Sequence, residues 1–77
     1  MIVQFEIGKT YEITVSNFYT DCGLVDVGQR FTCHYIDSDG DAWSMDVKYR
    51  GEPCTGSYGW CVATTKELVR GYVRTVE

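Results

Sequence analysis

Proline occurs once in this chain and histidine once, and nowhere do apolar residues run for the ~20 positions that a membrane-spanning helix requires. With eight glycines against that one proline, the breaks in the pattern read as turns and not as a disordered tail. Positive charge is also scarce: seven Lys and Arg stand against eleven Asp and Glu, for a formal net charge of −4. That balance argues against generic nucleic-acid binding, which needs cations to neutralise phosphates, and against attachment to an anionic membrane surface. It permits a basic protein partner. The four cysteines, Cys22, Cys33, Cys54 and Cys61, include no C-x-x-C pair, so no zinc site is expected and no other metal or cofactor is implied. Residues 1–9 lack a basic n-region, a long apolar core and a small-residue cleavage site, so no signal peptide is expected. The expected location is therefore cytoplasmic, with free thiols; in an oxidising compartment the four cysteines allow three pairings.

What the chain does have is strand pattern. Phe31, Cys33 and Tyr35 alternate with Thr32, His34 and Ile36, and Trp43, Met45, Val47 and Tyr49 alternate with Ser44, Asp46, Lys48 and Arg50. Period-two alternation of aromatic and β-branched residues marks strands with one buried face. Between the two runs, residues 37–41 are Asp-Ser-Asp-Gly-Asp, a turn whose Asx side chains bond nearby backbone. Residues 29–49 therefore read as a hairpin, with Trp43, Met45 and Val47 inward and Ala42 outward.

The other elements follow the same logic. Residues 10–15 form a first strand with Tyr11, Ile13 and Val15 inward. Ahead of it, Ile2, Val3, Phe5 and Ile7 make a short extra strand or a packed terminus. Residues 50–57 hold a second turn, and residues 58–63 a strand with Trp60 and Val62 on one face. Residues 64–67 are Thr-Thr-Lys-Glu, a single helical or 3-10 turn with a threonine cap. Residues 68–76 form the last strand, in which Arg70 and Arg74 share a solvated face. All 77 residues make one domain, 1–77, with no repeat or linker. A chain this short buries only roughly 60% of the surface its unfolded form exposes, leaving little room for a deep catalytic cleft.

This order of strand, long irregular loop, strand, polar turn, strand, tight turn, strand, 3-10 turn and strand resembles the SH3-like barrel. The residues that carry the likeness are Asp26-Val27-Gly28-Gln29-Arg30-Phe31 before the second strand, Asp39-Gly40-Asp41-Ala42-Trp43 before the third, and Gly59-Trp60-Cys61-Val62 before the helical turn. The resemblance implies an all-β fold: a small barrel of five or six antiparallel strands with one 3-10 turn. It does not extend to proline-peptide binding, because Trp43 is in phase with the core and residues 62–65 hold neither proline nor tyrosine. The chain also resembles, loosely, the small acidic proteins of tailed bacteriophages. There the carrying stretches are Phe5-Glu6-Ile7-Gly8-Lys9-Thr10-Tyr11, Val27-Gly28, the Asp39-Gly40-Asp41 turn and Trp60. That resemblance implies a protein that binds and inhibits or redirects a host enzyme or defence factor in the host cytoplasm.

Candidate sites reduce to one surface. Asp37, Asp39 and Asp41 alternate like calcium ligands, but an EF-hand loop counted from Asp37 would need glycine where Ala42 stands and glutamate where Lys48 stands. His34 lies on the outer side of its strand, and no motif surrounds Cys22 or Cys54 as a nucleophile. The long loop, residues 16–28, carries more apolar side chains than a solvated loop needs. Phe18, Tyr19, Leu24 and Val25, with Tyr58 and Trp60 extending the patch and Asp21 and Asp26 rimming it, form the expected partner-binding surface. The competing reading folds those same residues onto the barrel. The expected function is a non-enzymatic interaction protein, the alternatives being a nucleic-acid-binding small barrel or a virion or assembly component.

Overall fold

Strand β1 (Thr10–Ile13) buries Tyr11 and Ile13 and turns Thr10 and Glu12 outward, as alternation requires. A computed structural model describes residues 3–49, 52–53 and 59–76. β1 pairs antiparallel with β2 (Arg30–Thr32) on one side and with the last strand, β8 (Val73–Thr75), on the other. A second sheet has the order β3 (Tyr35–Ile36), β4 (Ala42–Ser44), β7 (Trp60–Ala63), again antiparallel. β5 (Lys48–Tyr49) and β6 (Glu52–Pro53) make a two-stranded ribbon. Among the described residues the molecule is thus built mostly of strands in two three-stranded sheets, with short helices at α1 (Phe18–Asp21) and α2 (Thr65–Val69). Among the described residues the ladders close no continuous ring.

The described residues hold eight strands rather than five or six, because two expected runs bend and β6 adds a short strand within the turn expected at residues 50–57. Cys33 still belongs to the first sheet, its N–H donating to Lys9 O, whereas the next residue, His34, donates its N–H to Trp43 O in the second. One run therefore serves both sheets. Beyond β4, the Asp46 N–H donates to Ser44 Oγ and the Met45 N–H to His34 Nδ1, so side chains replace ladder partners and the strand breaks. That break changes the phase. Ala42 and Ser44 are fully buried, Val47 is buried after the kink, and Met45 is exposed. The inward placement of Trp43 and Met45 is corrected: Trp43 is half-buried, on the face opposite Ala42 and Ser44.

The core comprises Phe5, Tyr11, Ile13, Leu24, Val25, Phe31, Cys33, Ala42, Val47, Val62, Ala63 and Val73. Of the N-terminal apolar residues described, Phe5 packs inward while Val3 and Ile7 are exposed. Val15 is exposed as well, since β1 has already ended. The expected helical turn is instead the helix α2. Thr64 Oγ1 accepts from the Glu67 N–H and Glu67 Oε1 accepts from the Thr64 N–H, a reciprocal capping box that stabilises the helix start by about 1 kcal/mol. The helix consumes residues assigned to the last strand, so Leu68 packs on the core from α2 and Arg70 caps the helix end. Arg70 and Arg74 therefore do not share a strand.

Candidate functional site

The loop before β2 folds back. Asn17 Oδ1 accepts from the N–H groups of Tyr19 and Thr20, starting α1, and the Leu24 and Val25 N–H groups then donate to Tyr19 O. This turn buries Leu24 and Val25 in the core, at 8% and 2% exposure. Those two are thereby removed from the expected partner surface: closing the loop over the sheets places their side chains where water is excluded. Asp21 and Asp26 are exposed, as a rim requires. Phe18 opens α1, but its side chain, like the whole of Tyr58 and Cys54, lies outside the described residues. Tyr19 is half-buried against the core.

Tyr19 leads to a different surface. Its hydroxyl lies 3.5 Å from Cys61 Sγ. Cys61 is paired in register with Trp43, and Trp43 with Tyr35, so one row crosses β7, β4 and β3. The Tyr35 and Trp43 rings meet edge to face at 6.2 Å. All four side chains are half-buried, forming a surface that is apolar in its body and wet at its edge. The row ends on acid: Trp43 Nε1 donates to Asp37 Oδ2 at 2.7 Å. Asp37 Oδ1 accepts from the N–H groups of Asp39 and Asp41, the expected Asx turn. Asp41 Oδ1 in turn accepts from the Thr65 N–H, and Thr65 Oγ1 donates to Gly40 O, joining the turn to α2. Beside it opens a depression of about 480 Å³ lined by Asp39, Asp41, Thr64, Thr65 and Lys66.

The titrations of this corner run in opposite directions. The Trp43 indole N–H, with backbone donors behind it, holds the Asp37 carboxyl below its ordinary 3.8. Burial pushes Asp41 above that value, and the charges of Asp37 and Asp39 add to the push. Burial likewise raises the Cys61 thiol, and it raises the Tyr19 phenol with help from Cys61. A thiol raised in this way is a poor nucleophile. The hydrogen bonds of His34 and the described thiols run elsewhere: His34 to the Met45 N–H, Cys61 to Tyr19, Cys22 to Tyr19 O and Cys33 to Tyr35 O. These residues assemble no thiolate–imidazole pair. Donor atoms of Asp37, Asp41 and Cys61 do fall within 4.8 Å of one another. Asp37 already accepts from two backbone donors of its own turn and from the Trp43 indole, so within the chain the cluster staples the turn to β4.

Linkage makes this testable. A carboxyl depressed in the folded state, such as Asp37, contributes stability above its unfolded value and loses it as pH falls through the folded one. Asp41, raised in the folded state, opposes folding near neutral pH, and that opposition disappears on acidification. Asp37→Asn is therefore expected to lower the urea midpoint at about pH 7 and Asp41→Asn to raise it, with both differences shrinking toward about pH 3. Shifts of the same sign for the two variants would contradict the opposed environments.

Compared with known proteins, the chain matches no family model, no curated protein and no solved structure. The surface formed by Tyr35, Trp43 and Cys61 with Asp37 and Asp41 was missed in the sequence because it depends on register between strands far apart in the chain. The one available signal was the indole: tryptophan is seldom fully buried and, when partly buried, seeks an acceptor, which Asp37 supplies six residues away.

Proposed function

We propose that this chain is a non-enzymatic interaction protein of SH3-like barrel type, whose aromatic and acidic surface docks a basic segment of another protein. The strand orders β2-β1-β8 and β3-β4-β7, with one bent run feeding both, support the barrel reading. One observation carries the function: the half-buried row of Tyr35, Trp43 and Cys61 runs into the carboxylates of Asp37 and Asp41. An incoming Lys or Arg would set its charge beside those carboxylates and over the face of the Trp43 ring, a cation–π contact of ~0.5–2 kcal/mol. Burial is the main cause of the raised Asp41 carboxyl, and an incoming cation would offset the smaller contribution from the charges of Asp37 and Asp39. Asp21 and Asp26, exposed on the neighbouring loop, add negative potential that speeds encounter with a basic partner. Within the phage resemblance, that partner is a host enzyme or defence factor, inhibited or redirected by occlusion.

The test is a cross-linked pull-down from host lysate with mass spectrometry, followed by calorimetry on the purified partner. Asp39→Asn with Asp41→Asn, and separately Trp43→Leu, should each weaken binding about tenfold or more, and affinity should fall with salt. A partner bound equally well by both variants would place the docking surface elsewhere.

A further inference from the structure

The outer face of the first sheet carries an arrangement that the partner-docking surface does not use. Register sets Arg30, Glu12 and Arg74 in one row across β2, β1 and β8. Glu12 accepts from Arg30 Nε at 3.1 Å with one carboxylate oxygen and from Arg74 Nη2 at 3.1 Å with the other. The Glu12 side chain is only 17% exposed, whereas those of Arg30 and Arg74 are 60% and 63% exposed. Hydrogen bonding from Arg30, with the Arg74 charge behind it, holds Glu12 below its ordinary value, so the clamp persists at neutral pH. Two guanidiniums share one carboxylate, and the row is net positive in a chain whose net charge is −4. Each Arg gives Glu12 one of its five N–H groups, leaving the rest of a pre-oriented fork at the surface.

The neighbouring rows define what fits. The Thr14 N–H donates to Tyr72 O, which extends the β1–β8 pairing by one residue and puts Tyr72 on the same face as Arg74. Tyr72 is 37% exposed, a large hydrophobic side chain at the surface. At the opposite end, the Thr32 N–H donates to Asp46 Oδ2, so a carboxylate closes that side to anions. An anionic ligand therefore lies from the arginines toward Tyr72. With β1 between them, the two arginine-bearing strands stand about 10 Å apart, while their guanidiniums lean inward onto the two oxygens of Glu12, so that their outer edges face solvent side by side at a spacing that neighbouring backbone anions of one strand can meet. Two forks with an aromatic ring beside them suit phosphates joined by a stackable base.

We propose that the outer face of the β2-β1-β8 sheet, through Arg30, Arg74 and Tyr72, is a docking surface for single-stranded nucleic acid. Arg30 and Arg74 each take a phosphate, Tyr72 stacks a base, and Glu12 holds both forks in place. Acidity elsewhere keeps the contact short and specific to this face.

The test is fluorescence anisotropy of a labelled oligothymidylate of ~12 nucleotides at about 50 mM salt, with duplex of the same length and polyglutamate as competitors. Two phosphate contacts predict a slope of log affinity against log salt of about −1.4. Arg30→Gln with Arg74→Gln should lose at least tenfold. The triple variant that adds Glu12→Gln should lose as much, and it leaves no carboxylate without partners, so misfolding is controlled for. Tyr72→Leu should lose about fivefold or more. Asp39→Asn with Asp41→Asn should leave oligonucleotide binding intact, which separates this outcome from that of the protein-docking test. No binding at low salt, equal binding by the triple variant, or displacement by polyglutamate as effective as by unlabelled oligonucleotide would overturn the proposal. Duplex binding as tight as single-strand binding would likewise remove the stacking role of Tyr72.

Discussion

Replacing Gly59 with alanine is expected to remove most of the domain's stability and bring it close to unfolding at room temperature. Gly59 is buried immediately before β7, with φ of +85°. A side chain at that φ costs about 1–2 kcal/mol on its own. The larger penalty is steric, because a Cβ built there overlaps the Ser44 carbonyl and approaches the Met45 nitrogen. Both are backbone. Neither moves without disturbing the pairing of Ser44 with Trp60 that joins β4 to β7. Ser44 itself is fully buried, so no flexible side chain can give way. The combined loss should be about 4 kcal/mol or more, against a total of roughly 5 kcal/mol for a domain this small. Gly8→Ala is the matched control: φ is +91°, but nothing lies within 4 Å of the added Cβ, so only the conformational cost applies. Urea unfolding followed by far-ultraviolet circular dichroism compares them. A Gly59→Ala shift no larger than that of Gly8→Ala would show that the sheets do not depend on this close approach.

Tyr11→Ala should be the next most damaging change, at about 3–5 kcal/mol. The ring is 1% exposed and central to an aromatic cluster, with Phe5 edge-on at 4.9 Å and Phe31 stacked at 5.8 Å. Each such pair contributes about 0.5–1.5 kcal/mol beyond its buried area. The hydroxyl accepts from the Glu6 N–H at 2.8 Å, so this side chain also fastens the N-terminal segment to β1. Tyr11→Phe removes only that acceptor and should cost about 1 kcal/mol. A Tyr11→Phe loss equal to that of Tyr11→Ala would mean that the hydrogen bond, and not the packing, holds the segment. A Tyr11→Ala loss under about 1 kcal/mol would mean that the cluster collapses to fill the void.

Much of this was legible from neighbours in the chain. Tyr11, Ile13, Phe31 and Cys33 alternate in the sequence and are buried in the structure, because one-sided strands impose period two. The Asp37 turn and the threonine cap were equally readable, since Asx and capping hydrogen bonds span only two to four residues. Reading failed where parity changed. Nothing in residues 42–49 announces that the Asp46 N–H will donate to Ser44 Oγ and break the strand, so Trp43 and Met45 were assigned to the wrong side. Tryptophan hides such an error well, being apolar enough for the core and polar enough for the edge.

The two candidate surfaces divide along the same line. Amino-acid order alone established a β-rich chain of acidic character, the polar turn at residues 37–41 and the cap of α2, because propensity, alternation and short-range hydrogen bonds act within a few residues. It left open whether the loop residues Leu24 and Val25 face solvent, and their burial follows from the loop folding across the sheets. It could not bring Arg30 to Arg74, nor Tyr35 to Cys61. Those meetings depend on registers between strands separated by tens of residues, and such registers are decided by which packing of the whole chain excludes most water.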